Sequence, residues 1–164
     1  MRRIVLVRHG AADDPEEGIN DRARALTDKG RRKTERVARG LGGFLGAVDL
    51  MASSPLLRAV QTADVLATHL HAGRRIETAL LEPSADAGRL LEWLNAETGS
   101  ELTVLVGHEP QLNNLAAVAL VGEPRGFMVF RKSAACLLEF DDGLIPGGAL
   151  LRWFMSPSQL VRGH

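Results

Sequence analysis

Short apolar runs alternate with longer amphipathic stretches along the chain. Apolar runs of about four to eight residues are typical of buried strands, whereas apolar positions spaced three and four residues apart are typical of helices with one buried face. This alternation predicts a single α/β domain in which a mixed, mostly parallel sheet is flanked by helices. The predicted strands are 4–7, 48–52, 102–106, 127–130, 135–140 and 149–154, and a short extended stretch is predicted over 75–79.

The amphipathic stretches predict the helices. Thr27 is expected to cap a helix that ends near residue 45. Ser54 followed by Pro55 predicts a second helix start, because a hydroxyl caps free amides and proline suits the first helical position. That helix is expected to end near residue 70, and further helices are predicted over 86–97 and from Pro110.

Three polar clusters each follow directly after a predicted buried strand. They are Arg8-His9-Gly10, Ser53-Ser54-Pro55 with Arg58, and Gly107-His108-Glu109-Pro110. In open α/β sheets ligands bind beyond the carboxyl ends of the strands, so residues far apart in sequence meet at one edge, here called the mouth. The polar segment 13–25 predicts a loop that hangs over the mouth.

The clusters contain residue types suited to phosphoryl transfer. Helical side chains lean toward the amino terminus, so Arg58 in the first predicted turn is expected to point into the mouth. Together with Arg8 it could clamp one phosphoryl group through forked donors. His9 is the predicted nucleophile, since nearby cations lower its pKa and a neutral imidazole attacks phosphorus. His108 is expected to stabilise charge on the phosphoryl oxygens, and Gly10 to allow close approach of substrate and backbone.

Composition narrows the range of partners and cofactors. The 164 residues fit one domain, 1–164, with 45% hydrophobic and 24% charged residues, as in ordinary folded domains. Basic and acidic residues number 20 each, which gives no strongly basic field for nucleic acid. Cys136 is the only cysteine, which excludes an intramolecular disulfide or a cysteine-rich zinc site. No apolar run suffices for a signal peptide or a membrane span, so we expect a cytoplasmic protein. The predicted phosphoryl transfer depends on positioning and fixed cations, so it implies no metal or organic cofactor.

The same clusters resemble the motifs of the histidine phosphatase superfamily, also called the phosphoglycerate-mutase-like superfamily. A strand followed by Arg8-His9-Gly10 is similar to its signature, and the matching segments span nearly the whole chain. Those segments are 21–27 with Gly30, 53–62 and 107–110. The small size and the closing segment 150–160, with Arg152-Trp153 and Pro157-x-x-Leu160, look most like the SixA branch of phosphohistidine phosphatases. Phosphoglycerate mutases are longer, so mutase activity is not expected.

The resemblance implies a three-layer sandwich fold and a metal-independent phosphatase. It also implies that Arg8, Arg58 and His108 form the phosphate pocket and that His9 is phosphorylated during turnover. The implied substrate is a phosphorylated protein, such as a phosphohistidine domain, or a small phosphoester. Neither nucleic acid nor a membrane is an expected partner.

The general acid is the least defined part of the predicted site. Many members of the superfamily place a glutamate after the third strand to protonate the leaving oxygen, and Glu82 in Leu80-Leu81-Glu82-Pro83 resembles it. The SixA branch often has no acid there, and a leaving imidazole can carry its own proton. Glu82 is the first candidate, followed by Asp86, Glu109 and Asp21.

Several alternatives remain open from the sequence. Arg58 could be an exposed helix residue paired with Asp64 or Glu35. His108 could simply satisfy a buried backbone group. The same pocket could hydrolyse a small phosphomonoester, since the motifs recognise only the phosphoryl group. A phosphate-binding module without turnover is disfavoured by an intact His9, and a metal hydrolase lacks enough ligands near the motifs.

Overall fold

A computed structural model describes residues 1–162 as six strands, five α-helices and two short 3-10 helices. In chain order these are β1 (Arg2–Arg8), a 3-10 helix (Asp21–Ala23), α1 (Asp28–Leu45), β2 (Val48–Ser53), α2 (Leu57–Ala67), β3 (Ala72–Glu77), a 3-10 helix (Ala79–Leu81), α3 (Ala87–Ala96), β4 (Leu102–Gly107), α4 (Gln111–Val121), β5 (Ala135–Phe140), β6 (Ala149–Met155) and α5 (Pro157–Arg162).

The strands form one sheet in the order β3-β2-β4-β1-β5-β6. β3, β2, β4 and β1 are parallel to one another. β5 runs antiparallel to β1, and β6 runs antiparallel to β5. The parallel strands are connected through helices, whereas the last two form an antiparallel pair at one edge. The predicted mixed, mostly parallel sheet is confirmed.

Helices cover both faces of the sheet. Alternate residues of β1 point to opposite faces, so Ile4 and Leu6 belong to one core while Val5 and Val7 belong to the other. The first core is completed by apolar residues of α3 and α4, and the second by residues of α1, α2 and α5. The result is the expected three-layer sandwich, with every residue of β4 buried between the layers.

The first helix begins and packs as its sequence indicates. The Thr27 side chain accepts a hydrogen bond of 2.9 Å from the Gly30 amide, which confirms the predicted cap. The closest approaches of α1 are at Gly30 and Gly40, where a Cβ would lie 2.0 Å from the Ala11 carbonyl oxygen and 2.1 Å from the Leu160 carbonyl oxygen. These glycines therefore let α1 approach its neighbours closely.

The second helix starts later than predicted. α2 begins at Leu57, and the Ser54 hydroxyl accepts a hydrogen bond of 3.2 Å from the Leu56 amide instead of capping the helix itself. Ser54 and Pro55 thus form a bend between β2 and α2. The bend keeps the Ser54 side chain buried at the end of the strand, where it serves the mouth.

The predicted strand 127–130 is wrong. This segment has no partner in the sheet, because β5 already pairs with the edge of β1. Its backbone is bonded to side chains: the Met128 amide donates to Asn113 Oδ1 at 3.3 Å, and the Phe130 carbonyl accepts from Arg8 Nη1 at 2.7 Å. Apolar composition alone does not distinguish such a segment from a strand.

Candidate active site

The three polar clusters lie side by side at the mouth, because they follow β1, β2 and β4, which are neighbours in the sheet. Backbone hydrogen bonds continue past the strand ends. The His9 amide donates to the Gly107 carbonyl at 3.0 Å, and the Ser54 amide donates to the Val106 carbonyl at 3.0 Å. The sheet itself therefore sets the positions of both histidine-bearing clusters.

His9 is a buried, neutral imidazole. Its ring centroid lies 4.9 Å from that of His108, and its Nδ1 lies 2.6 Å from the Gly10 carbonyl oxygen. A carbonyl only accepts hydrogen bonds, so Nδ1 carries the proton and Nε2 keeps its lone pair. Burial is the largest cause that lowers the pKa of His9 from 6.5 to about 4. The positive charges of Arg58 and Arg8 act in the same direction, against the contact with Gly10.

His108 is buried beside His9 and is held by Ser54. The His108 Nε2 lies 2.8 Å from the Ser54 hydroxyl, while its Nδ1 is buried without a partner in residues 1–162. The pKa of His108 is lowered from 6.5 to about 3, mainly by burial and also by the charges of His9, Arg58 and Arg8, against the effect of Asp21. The side-chain partner excludes the alternative in which this ring serves a backbone group.

The two arginines reach the mouth from different elements. Arg8, at the end of β1, donates from Nη1 to the Phe130 carbonyl. Arg58, in the first turn of α2, donates from Nη1 to the Asp21 carbonyl at 2.9 Å and from Nη2 to Asp21 Oδ2 at 3.2 Å. Burial is the main cause that lowers the pKa of each guanidinium. Each keeps a buried Nε without a partner in the described chain.

The surface interpretation of Arg58 is wrong. Arg58 is only 3% exposed, because α2 turns its first residues toward the sheet. Its proposed surface partners are bonded elsewhere, Asp64 to Arg75 and Glu35 to His69.

Gly10 allows a close contact with α1. A Cβ at this position would lie 2.4 Å from Thr34 Oγ1, and the Gly10 amide donates to Thr62 Oγ1 at 3.0 Å. Thr62 Oγ1 donates in turn to the Arg58 carbonyl at 2.7 Å. Glycine at this position therefore lets the chain beside His9 pack against α1. The sequence alone did not predict this packing role for Gly10.

Supporting contacts at the mouth were also missed by sequence reasoning. The Ser133 amide donates to the carbonyls of Arg8 and His9 at 3.1 and 3.2 Å, and Ser133 has a φ of 64°. Such a left-handed conformation is uncommon for serine. Neither this contact nor that of the Phe130 carbonyl with Arg8 has a sequence signal, because both depend on backbone groups. The sequence placed Ser54 at the mouth but predicted a helix cap there, and its contact with His108 was missed.

Hydrogen bonds and one ion pair with Glu82 hold the segment 13–25, here called the covering segment, beside the mouth. The residues that flank it are joined by a bridge between Ala12 and Leu26, and the Leu26 amide donates to Gln61 Oε1 at 2.8 Å. Toward its carboxyl end, Arg22 donates to both carboxylate oxygens of Glu82, at 3.1 and 3.2 Å. Residues 13–23 are exposed.

Three of the four candidate acids have other partners. Both oxygens of Glu82 accept from Arg22, and Asp86 caps α3 by accepting from the Arg89 amide at 2.8 Å. Asp21 contacts Arg58 and also accepts from Arg24 at 2.8 Å. The hydrogen bond from Arg24 is the largest cause that lowers the pKa of Asp21.

Glu109 differs from the other candidates. Burial raises the pKa of this carboxyl group, although the charge of Arg8 and the Asn113 amide oppose the shift. Its Oε1 is buried without a partner in residues 1–162. Glu109 therefore has the environment in which a carboxyl group retains a proton most readily.

Residues 1–162 contain neither a cluster of three or more His, Cys, Asp or Glu side chains suited to a metal ion nor a helix long and apolar enough to cross a bilayer. The described residues of the mouth provide a neutral nucleophile, His9, with cationic and neutral hydrogen-bond donors around it. This combination can accept and stabilise a phosphoryl group.

Comparison with known proteins agrees with this chemistry. The family described as the histidine phosphatase superfamily (branch 1) matches residues 4–88. A protein of uncharacterised function from Picosynechococcus is 34% identical over 133 residues, covering 79% of this chain and 80% of its own length. The phosphohistidine phosphatase SixA of Escherichia coli is 28% identical over 161 residues, covering 96% of both chains.

A solved structure shows the same architecture. The protein histidine phosphatase SixA in complex with tungstate superimposes with a TM-score of 0.84 at 28% identity, covering 96% of this chain and 99% of that one. The similarity extends over all layers of the sandwich, including the antiparallel edge.

Proposed function

The chain belongs to the histidine phosphatase superfamily (branch 1), and from this premise we propose that it hydrolyses phosphohistidine in a protein through a phosphoryl group carried on His9. Membership of the superfamily supports phosphatase activity. The observation that carries the finer proposal is the state of His9: a buried neutral ring whose Nδ1 proton is held by Gly10 and whose Nε2 lone pair is available.

In the proposed first step, His9 Nε2 attacks phosphorus in line with the leaving group. A new N–P bond forms, the bond from phosphorus to the substrate imidazole breaks, and its electron pair returns to the leaving nitrogen. A substrate ring that is protonated on its other nitrogen leaves as neutral imidazole. This step consumes no proton from the protein.

Charge on the transferring group is stabilised by Arg8, Arg58 and His108. The unpartnered Nε atoms of the two arginines and the unpartnered Nδ1 of His108 supply buried polar groups for the phosphoryl oxygens. If the Ser54 hydroxyl donates to His108 Nε2, the neutral ring carries its proton on Nδ1 and donates from there. Phosphoryl transfer requires mainly positioning and charge stabilisation, which these fixed groups provide.

In the proposed second step, water attacks the phosphorus of phosphorylated His9. A new P–O bond forms as the N–P bond breaks, Nε2 regains its lone pair, and inorganic phosphate leaves with both protons of the water. No step uses a metal ion, so the proposal includes undiminished activity in the presence of a chelator. The tungstate complex of the SixA relative supports the assignment, because tungstate is a tetrahedral oxyanion like phosphate.

The engagement of the carboxylates favours phosphohistidine over phosphoesters. An alkoxide leaving group needs a proton from an acid, whereas Glu82, Asp86 and Asp21 are held by hydrogen bonds to other groups. Glu109 remains as an acid for esters, so slower hydrolysis of small phosphomonoesters is the second candidate function. A binding module without turnover has no use for the lone pair on His9.

The test is a comparison of kcat/KM for a phosphohistidine peptide and for a panel of phosphoesters that includes phosphoserine peptide and p-nitrophenyl phosphate. We expect the phosphohistidine peptide to be preferred by at least about tenfold, because its leaving group needs no acid. The His9→Gln variant serves as the background control. A preference for any ester would contradict the proposed substrate while leaving the phosphatase assignment intact.

A further inference from the structure

A groove between α1 and α5 concentrates positive charge on one face of the molecule. Its volume is about 480 Å³. Five exposed cations line it, namely Lys29, Arg32, Lys33, Arg36 and Arg162. None of them forms an ion pair within residues 1–162, and no acidic residue of that range lines this basic groove. A chain with balanced charge therefore carries a local basic surface.

The floor of the basic groove favours a protein ligand. It is formed by Pro157, Val161 and the aliphatic stems of the lining side chains, and it holds no aromatic residue. Single-stranded nucleic acids are bound through aromatic stacking, and the lining of the basic groove within residues 1–162 contains no aromatic residue. Duplexes are bound through a strongly basic overall field, which a chain of balanced charge does not have. An apolar floor with a cationic rim complements an acidic protein surface.

The basic groove continues toward the mouth. Ser158 lines both this groove and an adjoining one that contains Val129 and Arg131. Lys132, the next residue, lies close enough to His9 for its charge to contribute to the lowered pKa of that imidazole. We call the surface from the basic groove through Arg131 and Lys132 the docking strip.

The docking strip is longer than a small substrate. At 1.5 Å per helical residue, Arg36 lies about 10 Å farther along α1 than Lys29. The start of α1 adjoins the segment after His9, since Gly30 packs on the Ala11 carbonyl. A small phosphoester bound at His9 cannot reach Arg36, whereas a macromolecule can contact both.

We propose that the docking strip binds an acidic surface beside the phosphorylated residue of a protein substrate. This inference rests on the proposed function and adds to it the chemistry of the partner. The strip selects substrates by charge, while the mouth recognises the phosphoryl group alone. Charge complementarity of this kind acts mainly on the association rate and is weakened by salt.

The experiment compares two synthetic peptides of about 12 residues, which span about 40 Å when extended. Each carries one central phosphohistidine; one is flanked by glutamates and the other by serines. Values of kcat/KM are measured for the wild type, for the double variant Arg32→Glu with Arg36→Glu, and for Arg89→Glu. Arg89 is an exposed arginine on α3 that does not line the grooves, so it controls for a charge reversal on a helix.

We expect the wild type and Arg89→Glu to prefer the acidic peptide by about tenfold, and the double variant to lose that preference. Turnover of p-nitrophenyl phosphate should stay within about twofold in all three proteins, because this substrate does not reach Arg32, Arg36 or Arg89. Raising the salt concentration to about 0.5 M should remove the preference of the wild type, since exposed charges are then screened.

Equal turnover of both peptides by the wild type, or an unchanged preference in the double variant, would overturn the docking strip. If a nucleic-acid oligomer bound more tightly than the acidic peptide, the occupant of the strip would be a nucleic acid. If light scattering showed a dimer for the wild type and a monomer for the double variant, the occupant would be a second copy of the chain. Either result would overturn the proposal. Hydrolysis of the phosphoserine versions of the peptides but of neither phosphohistidine peptide would contradict phosphohistidine as the substrate, not the docking strip. The docking strip would then be tested by the same comparison between the acidic and the serine-flanked phosphoserine peptides.

Discussion

The strand-end side of the mouth and the covering segment are held in place by different forces. His9 and His108 are buried, and backbone bonds that continue the sheet hold their clusters. The covering segment is largely exposed, and side-chain bonds attach it, from Arg22 to Glu82 and from Arg58 to Asp21. The Arg22–Glu82 ion pair is exposed and contributes about 0 to 1 kcal/mol, whereas the bonds from the buried Arg58 anchor Asp21 beside the reacting groups. The sheet thus fixes the reacting groups, and the contact of the covering segment with Glu82 is the weak, adjustable part of the site.

Changing a buried cation of the strand-end side should have the largest effect. Arg58→Lys keeps the charge but loses the forked donors that match two phosphoryl oxygens. We expect kcat/KM to fall by about 100-fold for every phosphorylated substrate, measured in steady-state kinetics. Arg22→Lys is the matched change in the covering segment and should lower kcat/KM by less than about threefold. Equal losses in the two variants would contradict the distinction between the regions.

Protonation of His9 should make stability depend on pH. Its pKa is about 4 in the folded chain and 6.5 ordinarily, so between these values the unfolded state binds more protons. The free energy of unfolding is therefore highest above pH 6.5 and decreases as the pH falls toward 4. The full effect is roughly 3 kcal/mol.

The His9→Gln variant isolates this contribution, because glutamine does not titrate. Urea unfolding at several pH values should show the variant gaining stability relative to the wild type as the pH falls from 6.5 to about 4. A difference between the two proteins that stays constant with pH would show that the His9 ring is not buried in its neutral form.

The two regions also differ in their candidate acids. Glu109 follows His108 on the strand-end side, whereas Glu82 is bonded to the covering segment. Glu109→Gln is expected to lower turnover of phosphoesters by about tenfold and that of phosphohistidine by less than threefold, because only the ester needs an acid. Glu82→Gln should affect both substrates by less than about threefold. The reverse ranking would return the role of acid to Glu82.

The smallest effect is expected for the attachment of the covering segment. Arg22→Ala removes its bonds to Glu82 and should change KM by about twofold to threefold while kcat stays the same, because the reacting groups are untouched. Steady-state kinetics at low ionic strength, where the ion pair is strongest, provide the measurement. A large fall in kcat would mean that the segment takes part in the chemistry.

The sequence predicted the parts of the fold that are governed by local pattern. The apolar run of β4 identified a strand buried on both sides, and Thr27 identified the start of α1. The strand predicted over 127–130 was wrong because only Met128 and Phe130 pack into the core, and the segment does not join the sheet. The predicted start of α2 was wrong because the Ser54 hydroxyl bonds to the Leu56 amide in a bend, and this bend has the sequence pattern of a helix start.

The candidate site was predictable as a set of residues but not as a set of bonds. The ends of the predicted strands indicated that Arg8, His9, Arg58 and His108 would meet at one edge of the sheet. The proton position on His9 depends on the direction of the Gly10 carbonyl, and the bond of Arg58 to Asp21 depends on how the covering segment folds back. The burial that lowers the histidine pKa values comes from all three layers together, so no local pattern reports it.

The phosphorylation of His9 during turnover can be observed directly. The protein is incubated with a phosphohistidine peptide, quenched rapidly in alkali, digested and examined by mass spectrometry. We expect an acid-labile, alkali-stable phosphoryl group on His9 that is absent from the His9→Gln variant. A wild type that hydrolyses the substrate while no phosphoryl group ever appears on His9, or a His9→Gln protein that remains fully active, would contradict it.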